Sequence, residues 1–231
     1  MSKKEELFDK INNDFESMSE MVLEQLQNLY EIIGETKIEL LDIKYQEIYE
    51  REKEIDNFEV TISNDIINAF VLEHQAATSL RMLVSIQRMV VNLERVGDLC
   101  MNIVEFLRFT EDNKSLSEKY FEGISNMLTI SISMVKKALK SFKKRDKDYA
   151  IWTIKNDDIV DDLHRNLLTK IINKANLKDK TKNLFYEFIT MNNIISNIER
   201  IGDNASNIAE ASIYFLEGKD IRHNNEEIEE L

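Results

Sequence analysis

Residues 92–106 read NLERVGDLCMNIVEF, and residues 197–211 read NIERIGDNASNIAEA. Glu94 falls on Glu199, an offset of 105, and at that offset Asn92, Arg95, Gly97, Asp98, Asn102, Ile103 and Glu105 meet Asn197, Arg200, Gly202, Asp203, Asn207, Ile208 and Glu210. Without a gap, the same shift lays EKEID of 52–56 on DDIVD of 157–161. Glu52 thereby meets Asp157, Asp56 meets Asp161, and Glu59 meets His164. Two acidic clusters that agree at one offset identify a duplicated unit.

The unit is helical. The chain has no proline and only five glycines in 231 residues, so breakers are scarce. Leu7, Ile11, Phe15, Met18, Val22, Leu26, Leu29 and Ile33 recur every three or four residues, which places them on one stripe of a helix. Gly34 is a natural stop, and polar clusters near 73–78, 111–117, 144–148 and 173–182 interrupt the later periodicity. The spacing predicts six helices over 4–33, 36–71, 77–111, 116–144, 147–175 and 181–217. With the duplication, the expected fold is all-α: two tandem, pseudo-symmetric three-helix bundles. Residues 1–113 would form the first, 114–218 the second, and 219–231, ending in EEIEEL, an acidic frayed tail.

The net charge of -13 opposes sequence-independent binding to nucleic acid, which needs an excess of clustered Lys and Arg. No apolar run approaches the ~20 residues of a membrane span, and MSKKEELFDK lacks the apolar core of a signal peptide. The expectation is a cytoplasmic protein, at most peripheral to a membrane. Cys100 is the only cysteine, so no internal disulfide forms, and its place on an apolar face makes it a small core residue. Trp152 and the methionines read as packing residues, and His74 as a surface residue in a loop. KKALKSFKKRDK, residues 136–147, gathers cations at the end of the fourth helix. It reads first as favourable charge at a helix C-terminus, and second as a docking patch for an acidic partner or a membrane surface.

At 100° per residue, Glu94, Asp98, Asn102 and Glu105 lie within about 80° of one another, and Gln87 shares their face. Met82, Ile86, Met89, Leu93, Cys100, Ile103 and Leu107 fall nearly opposite, so the acidic stripe is expected to face outward. Glu52, Asp56 and Glu59 share a face of the preceding helix, as do Asp157, Asp161 and His164 in the second unit. Set edge to edge, each pair of helices would present a shallow patch of five or six ligands. Like charges four residues apart cost a few tenths of a kcal/mol, so a cation should compensate them. Arg95 and Arg200 project about 100° away and are better placed to bridge to another helix. Gly97 and Gly202 each cost about 1 kcal/mol against alanine, which implies a close approach of something at both.

Carboxylates with amide oxygens are hard donors that suit Mg, Mn, Ca or iron, and the imidazole of His164 tilts the second patch towards a transition metal. Structural zinc lacks thiolates here. A di-iron bundle enzyme would need inward-facing ligands and a Glu-x-x-His on two helices, whereas Asp161-x-x-His164 stands alone within the helices. No phosphate loop, nucleophile elbow or CxxC pair occurs, so no catalytic residue is assigned. Three readings stay open from the residues: a metal-binding regulatory protein, a metal-dependent enzyme hydrolysing phosphoesters, and a structural bundle whose acidic faces are only solvated.

The motifs LERVGDLCMNIVE and IERIGDNASNIAE, EKEID and NDDIVDD, SLRMLVSIQRMVVNLERVGD, and FLEGKDIRH resemble those of the PhoU family, the accessory and regulatory proteins of phosphate-specific transport. The resemblance implies two similar three-helix bundles with multinuclear metal clusters of iron, zinc, manganese or magnesium on their surface. It implies ligands at Glu94, Asp98 and Asn102 with Glu52 and Asp56, and at Glu199, Asp203 and Asn207 with Asp157 and Asp161. It further implies a homodimer acting as a negative regulator, in contact with the ATPase subunit of a phosphate ABC transporter and with a sensor histidine kinase. The chain departs from the family pattern at Gln75, where many members place proline, and at His164 and Arg165, where an acidic residue is common.

Overall fold

The structure, a computed structural model, describes residues 3–33, 38–72, 76–109, 113–174 and 182–222. Six helices account for nearly all of them: α1 (Lys3–Ile32), α2 (Ile38–Val71), α3 (Ala77–Phe109), α4 (Asn113–Lys144), α5 (Lys147–Lys174) and α6 (Lys182–Glu217). No strand occurs among the described residues. The ends fall within three residues of the periodicity reading. Gly34, His74 and residues 223–231 of the tail lie outside the described residues.

The stripe of α1 explains its packing: Ile11, Phe15, Met18, Val22, Leu26 and Leu29 are all buried. α1, α2 and α3 pack on one another, and α4, α5 and α6 do likewise. The two bundles meet chiefly along α3 and α6, with α1 touching α4, so α2 and α5 are the outer helices. Cys100 is fully buried, and burial pushes its thiol well above the usual range, which makes it the inert core residue expected. Met18, Met89, Met127, Met134 and Met191 are buried, and Trp152 packs against the core's edge. No helix among the described residues is long and apolar enough to cross a membrane.

Two helices end in the left-handed region. α6 stops on Gly218 with φ +71°, and the Gly218 N–H donates to the Tyr214 carbonyl at 3.0 Å, the usual glycine stop. α4 stops on Arg145 at φ 53° in the same left-handed region, the only non-glycine there among the described residues. The Arg145 N–H donates to the Phe142 carbonyl at 3.3 Å and the Asp146 N–H to the Ser141 carbonyl at 3.0 Å, which closes the end of the helix. Asp146 then caps α5 by accepting the Asp148 N–H at 3.0 Å.

Candidate metal centre

In the first bundle α2 lies against α3, and Glu52 of α2 reaches Gly97 of α3. A Cβ at that position would stand 2.6 Å from Glu52 Oε2, so the missing side chain is what lets the Glu52 carboxylate lie against the α3 backbone. Glu52 is buried, which corrects the expectation of a wholly outward stripe. From α1 the buried Gln25 amide donates to Glu52 Oε2 at 2.7 Å and to the Gly97 carbonyl at 3.1 Å. Glu52 Oε1 and Gln25 Oε1 have no hydrogen-bond partner. An orphaned carboxylate oxygen inside a protein is costly, and the groups beside it make matters worse. Burial pushes Glu52 up to about 8; the Gln25 bond opposes the rise, and Asp98, Asp56 and Glu94 add to it. Glu94 rises to about 7 through burial first, then the charges of Asp98, Glu59 and Asp56. Asp98 is raised by burial and by Asp56. The structure thus brings Glu52, Asp56, Glu59, Glu94 and Asp98 into one electrostatic cluster. Gln87 stays at its margin, donating to the Ser63 hydroxyl at 2.9 Å.

The second bundle builds its patch between α5 and α6. One carboxylate oxygen each from Asp161, Glu199 and Asp203 lies within 4.8 Å of the others, close enough for one cation to touch all three. Asp157 completes the row from one helical turn before Asp161, and burial pushes it up to about 6. The Ser206 hydroxyl, too loosely placed for a full hydrogen bond, partly offsets that rise. Asp203 also rises to about 6, through desolvation by the flanking helices and then Glu199 and Asp161, with Arg200 opposing. Glu199 is raised by burial and then by Asp161. His164 accompanies the row, its Nε2 3.3 Å from the Ser196 hydroxyl, and burial lowers its pKa against the pull of Asp161. Gly202 is looser than Gly97, because a Cβ there would meet Val160 at 3.4 Å and Asp157 Oδ1 at 3.7 Å, ordinary contacts.

Asn102 and Asn207 adjoin the two patches on the side of Asp98 and Asp203. They line an open groove of about 370 Å³ between α3 and α6, together with Arg95, Asp98, Arg200 and Asp203. The two ERxGD copies therefore face each other across the junction of the bundles. Arg95 and Arg200, expected to bridge to other helices, line this groove and act on their own patches, Arg95 lowering Glu94 and Arg200 lowering Asp203. Sequence reasoning missed Gln25 and Ser206. Gln25 sits three residues past Val22 and four before Leu29, inside the apolar stripe, and a polar residue there was the available signal. Ser206 follows Asp203 by three residues and carried none.

The arrangement can hold hard cations. All the donors are oxygens apart from one imidazole, the carboxylates crowd one another, and the buried oxygens Glu52 Oε1 and Gln25 Oε1 lack partners. In both patches the carboxylate pKa values are driven upward by burial and like charge, as happens where a cation is meant to restore the charged form.

The pattern that defines the PhoU domain matches residues 15–107 and again 124–212. The chain is 28% identical over 179 residues to a phosphate-specific transport system accessory protein PhoU homolog of Burkholderia sp, covering 77% of this chain and 75% of that protein. The homolog of Clostridium acetobutylicum with the same description is 28% identical over 180 residues, covering 77% and 80%. The crystal structure of PhoU from Pseudomonas aeruginosa superposes with a TM-score of 0.83 at 22% identity, covering 93% of this chain and 99% of that one. The phosphate transport system regulatory protein PhoU from Streptococcus pneumoniae superposes with a TM-score of 0.79 at 22% identity, covering 93% and 96%. With the domain matched twice across most of the chain, and the six-helix fold shared, this protein belongs to the PhoU family.

Proposed function

We propose that this protein is a metal-binding regulatory adaptor of phosphate uptake. Its first centre would be held by Glu52, Asp56, Glu94, Asp98 and Asn102, and its second by Asp157, Asp161, Glu199, Asp203 and Asn207. The observation that carries the metal reading is the convergence of carboxylates in both patches, with Asp161, Glu199 and Asp203 within 4.8 Å of one another. A cluster of iron, zinc, manganese or magnesium held by these residues would supply the positive charge that their crowded carboxylates lack. The protein's own residues do the rest. Gln25 holds Glu52 in place, Gly97 admits it, and Arg95 and Arg200 moderate the negative potential at the rim.

The regulatory reading rests on membership of a family of transport accessory proteins, and the relatives named above carry that description. The adaptor holds a phosphate ABC transporter, through its ATPase subunit, and a sensor histidine kinase in the restrained state when phosphate is plentiful, working as a cytoplasmic homodimer. Metal analysis of protein purified without chelator tests the centres. The parent should carry at least one metal per patch, and Asp98→Ala combined with Asp203→Ala should carry far less. Equal, near-zero metal in both overturns the metal reading. The regulatory reading has its own test: loss of the gene should derepress phosphate-starvation genes at high phosphate in its host. Unchanged repression overturns that reading whatever the metal content.

A further inference from the structure

Away from the α2–α3 and α5–α6 carboxylates, α1 and α4 flank a groove of about 510 Å³. Its floor is apolar and aromatic: Phe15, Leu139, Phe142 and Phe215, with ring centroids 5.5 Å apart for Phe15 and Phe142 and 4.9 Å for Phe142 and Phe215. Its α4 wall carries Lys136, Lys140, Lys143, Lys144 and then Arg145, all exposed. The four lysines recur at i, i+4, i+7 and i+8 and therefore share one face.

This is the cationic segment singled out in the sequence, and the helix dipole does not account for it. The dipole acts within the last turn, which covers Lys143 and Lys144 but not Lys136 and Lys140. Lys143 is engaged by Glu16 across the groove at 3.1 Å. Lys140 lies 4.2 Å from the Tyr149 ring and Arg145 5.7 Å from the Phe215 ring, which keeps both heads at the rim. Arg145 adds an independent sign. It holds a left-handed conformation that glycine would adopt more easily, as Gly218 does at the end of α6, and backbone strain of this kind gathers at functional positions.

We infer that this groove is a docking site for an amphipathic helix of a partner protein whose apolar stripe fills the aromatic floor and whose acidic flank lies along α4. Charge complementarity chooses the occupant. In a chain of net charge -13, five cations in ten residues on one wall favour an acidic guest. The opposite wall carries Glu16 and Glu20, so the guest's other flank is not acidic. Concavity favours a helix over a lipid surface, since a stripe of side chains fills a sunken aromatic floor and a flat bilayer does not. Aromatic residues, which form its floor, are among the side chains that dominate binding at such interfaces.

The test uses the full chain and a fluorescein-labelled helical peptide about three turns long. The peptide has Leu and Phe along one stripe, Glu on one flank and Gln on the other. Anisotropy should report a Kd on the order of micromolar. Lys136→Glu with Lys144→Glu should weaken binding at least tenfold with the helical fold retained by circular dichroism. Arg145→Gly should weaken it several-fold while its thermal midpoint stays level or rises, which a merely structural arginine would not do. Absence of binding to the parent overturns the inference, as does equal binding by the double variant. Equal binding of a peptide with its apolar residues dispersed also overturns it, by showing charge attraction alone. Two further results overturn it in favour of another occupant. One is capture by phosphatidylglycerol vesicles, lost in the double variant, with the peptide ignored; the other is a dimer that the double variant dissolves, which makes a second copy the guest.

Discussion

The two carboxylate patches descend from one motif, yet they are built differently inside. At the position shared by Glu52 and Asp157, the first patch has the longer side chain, buried against a glycine and held by Gln25. The second has a shorter one that is only half-buried, with the Ser206 hydroxyl beside it. Among the described residues the only side-chain hydrogen-bond partner acting on Asp157 is Ser206 of α6, so no amide from α4 takes the part that Gln25 plays in the first bundle. Burial drives both carboxyls upward to different values, with Glu52 at about 8 despite the opposing Gln25 bond and Asp157 at about 6. Duplication preserved the ligand geometry along each helix, while the contacts made from the neighbouring helix diverged. The first patch therefore depends more on a cation than the second.

Stability against pH in metal-free protein exposes this difference most strongly. Glu52 titrates near 4.5 when unfolded and near 8 when folded, so the folded state binds the extra proton between those values and stability falls as pH rises through them. The loss is of the order of 3 kcal/mol, shared with the coupled Glu94 and Asp98. Glu52→Gln should abolish most of it and make the metal-free protein more stable at pH 8 than its parent. Asp157→Asn should act only between about pH 4 and 6, from the value of about 6 in the fold, and by about 1 kcal/mol because the group is half-exposed. Urea denaturation across this range checks both. Identical pH slopes for the two variants would mean the patches are equivalent.

The glycines give the next largest contrast. Either replacement by alanine gains about 1 kcal/mol of helix propensity. At Gly97 the new methyl would stand 2.6 Å from the Glu52 carboxylate, which has to leave its Gln25 bond, and such overpacking costs about 1–3 kcal/mol. At Gly202 its nearest neighbour would be Val160 at 3.4 Å, with no displacement needed. Gly97→Ala should therefore destabilise the protein by about 1 kcal/mol net, while Gly202→Ala should stabilise it by roughly 0.5–1 kcal/mol. Midpoints of denaturation decide the matter, and a stabilised Gly97→Ala protein would show that Glu52 does not need the space.

What could be read from the sequence follows the range of each interaction. Helix number and the doubling of the bundle rest on local spacing and on self-similarity, and both are written along the chain from Leu7 to Ile33 and in the two ERxGD copies. The acidic rows were legible for the same reason, since Asp157 and Asp161, or Glu94 and Asp98, are neighbours on one helix. Depth was not. Whether Glu52 is buried depends on how closely α2 approaches Gly97, and on an amide arriving from α1, neither of which leaves a periodic trace. The rim cations at 136–145 were visible as composition, but their aromatic floor takes Phe15 from α1 and Phe215 from α6 and exists only once the bundles meet.

The smallest difference between the patches, Glu59 against His164, should act with the opposite sign. Burial lowers the folded pKa of His164 below the unfolded 6.5, so its contribution to stability is present above 6.5 and is lost as pH falls from there through the folded pKa. The carboxylates around it behave in reverse, gaining stability as pH falls towards their unfolded values. In the second bundle the two trends therefore oppose each other below pH 6.5, whereas in the first Glu59 adds to the repulsion on Glu94. His164→Gln should remove the opposing trend and steepen the gain in stability on acidification, by a small amount because the ring is half-exposed and Asp161 offsets part of the shift. A titration followed by the ring's own proton resonances, with the midpoint expected below 6.5, separates this effect from the larger carboxylate signal, and a midpoint above 6.5 would make Asp161 rather than burial the controlling neighbour.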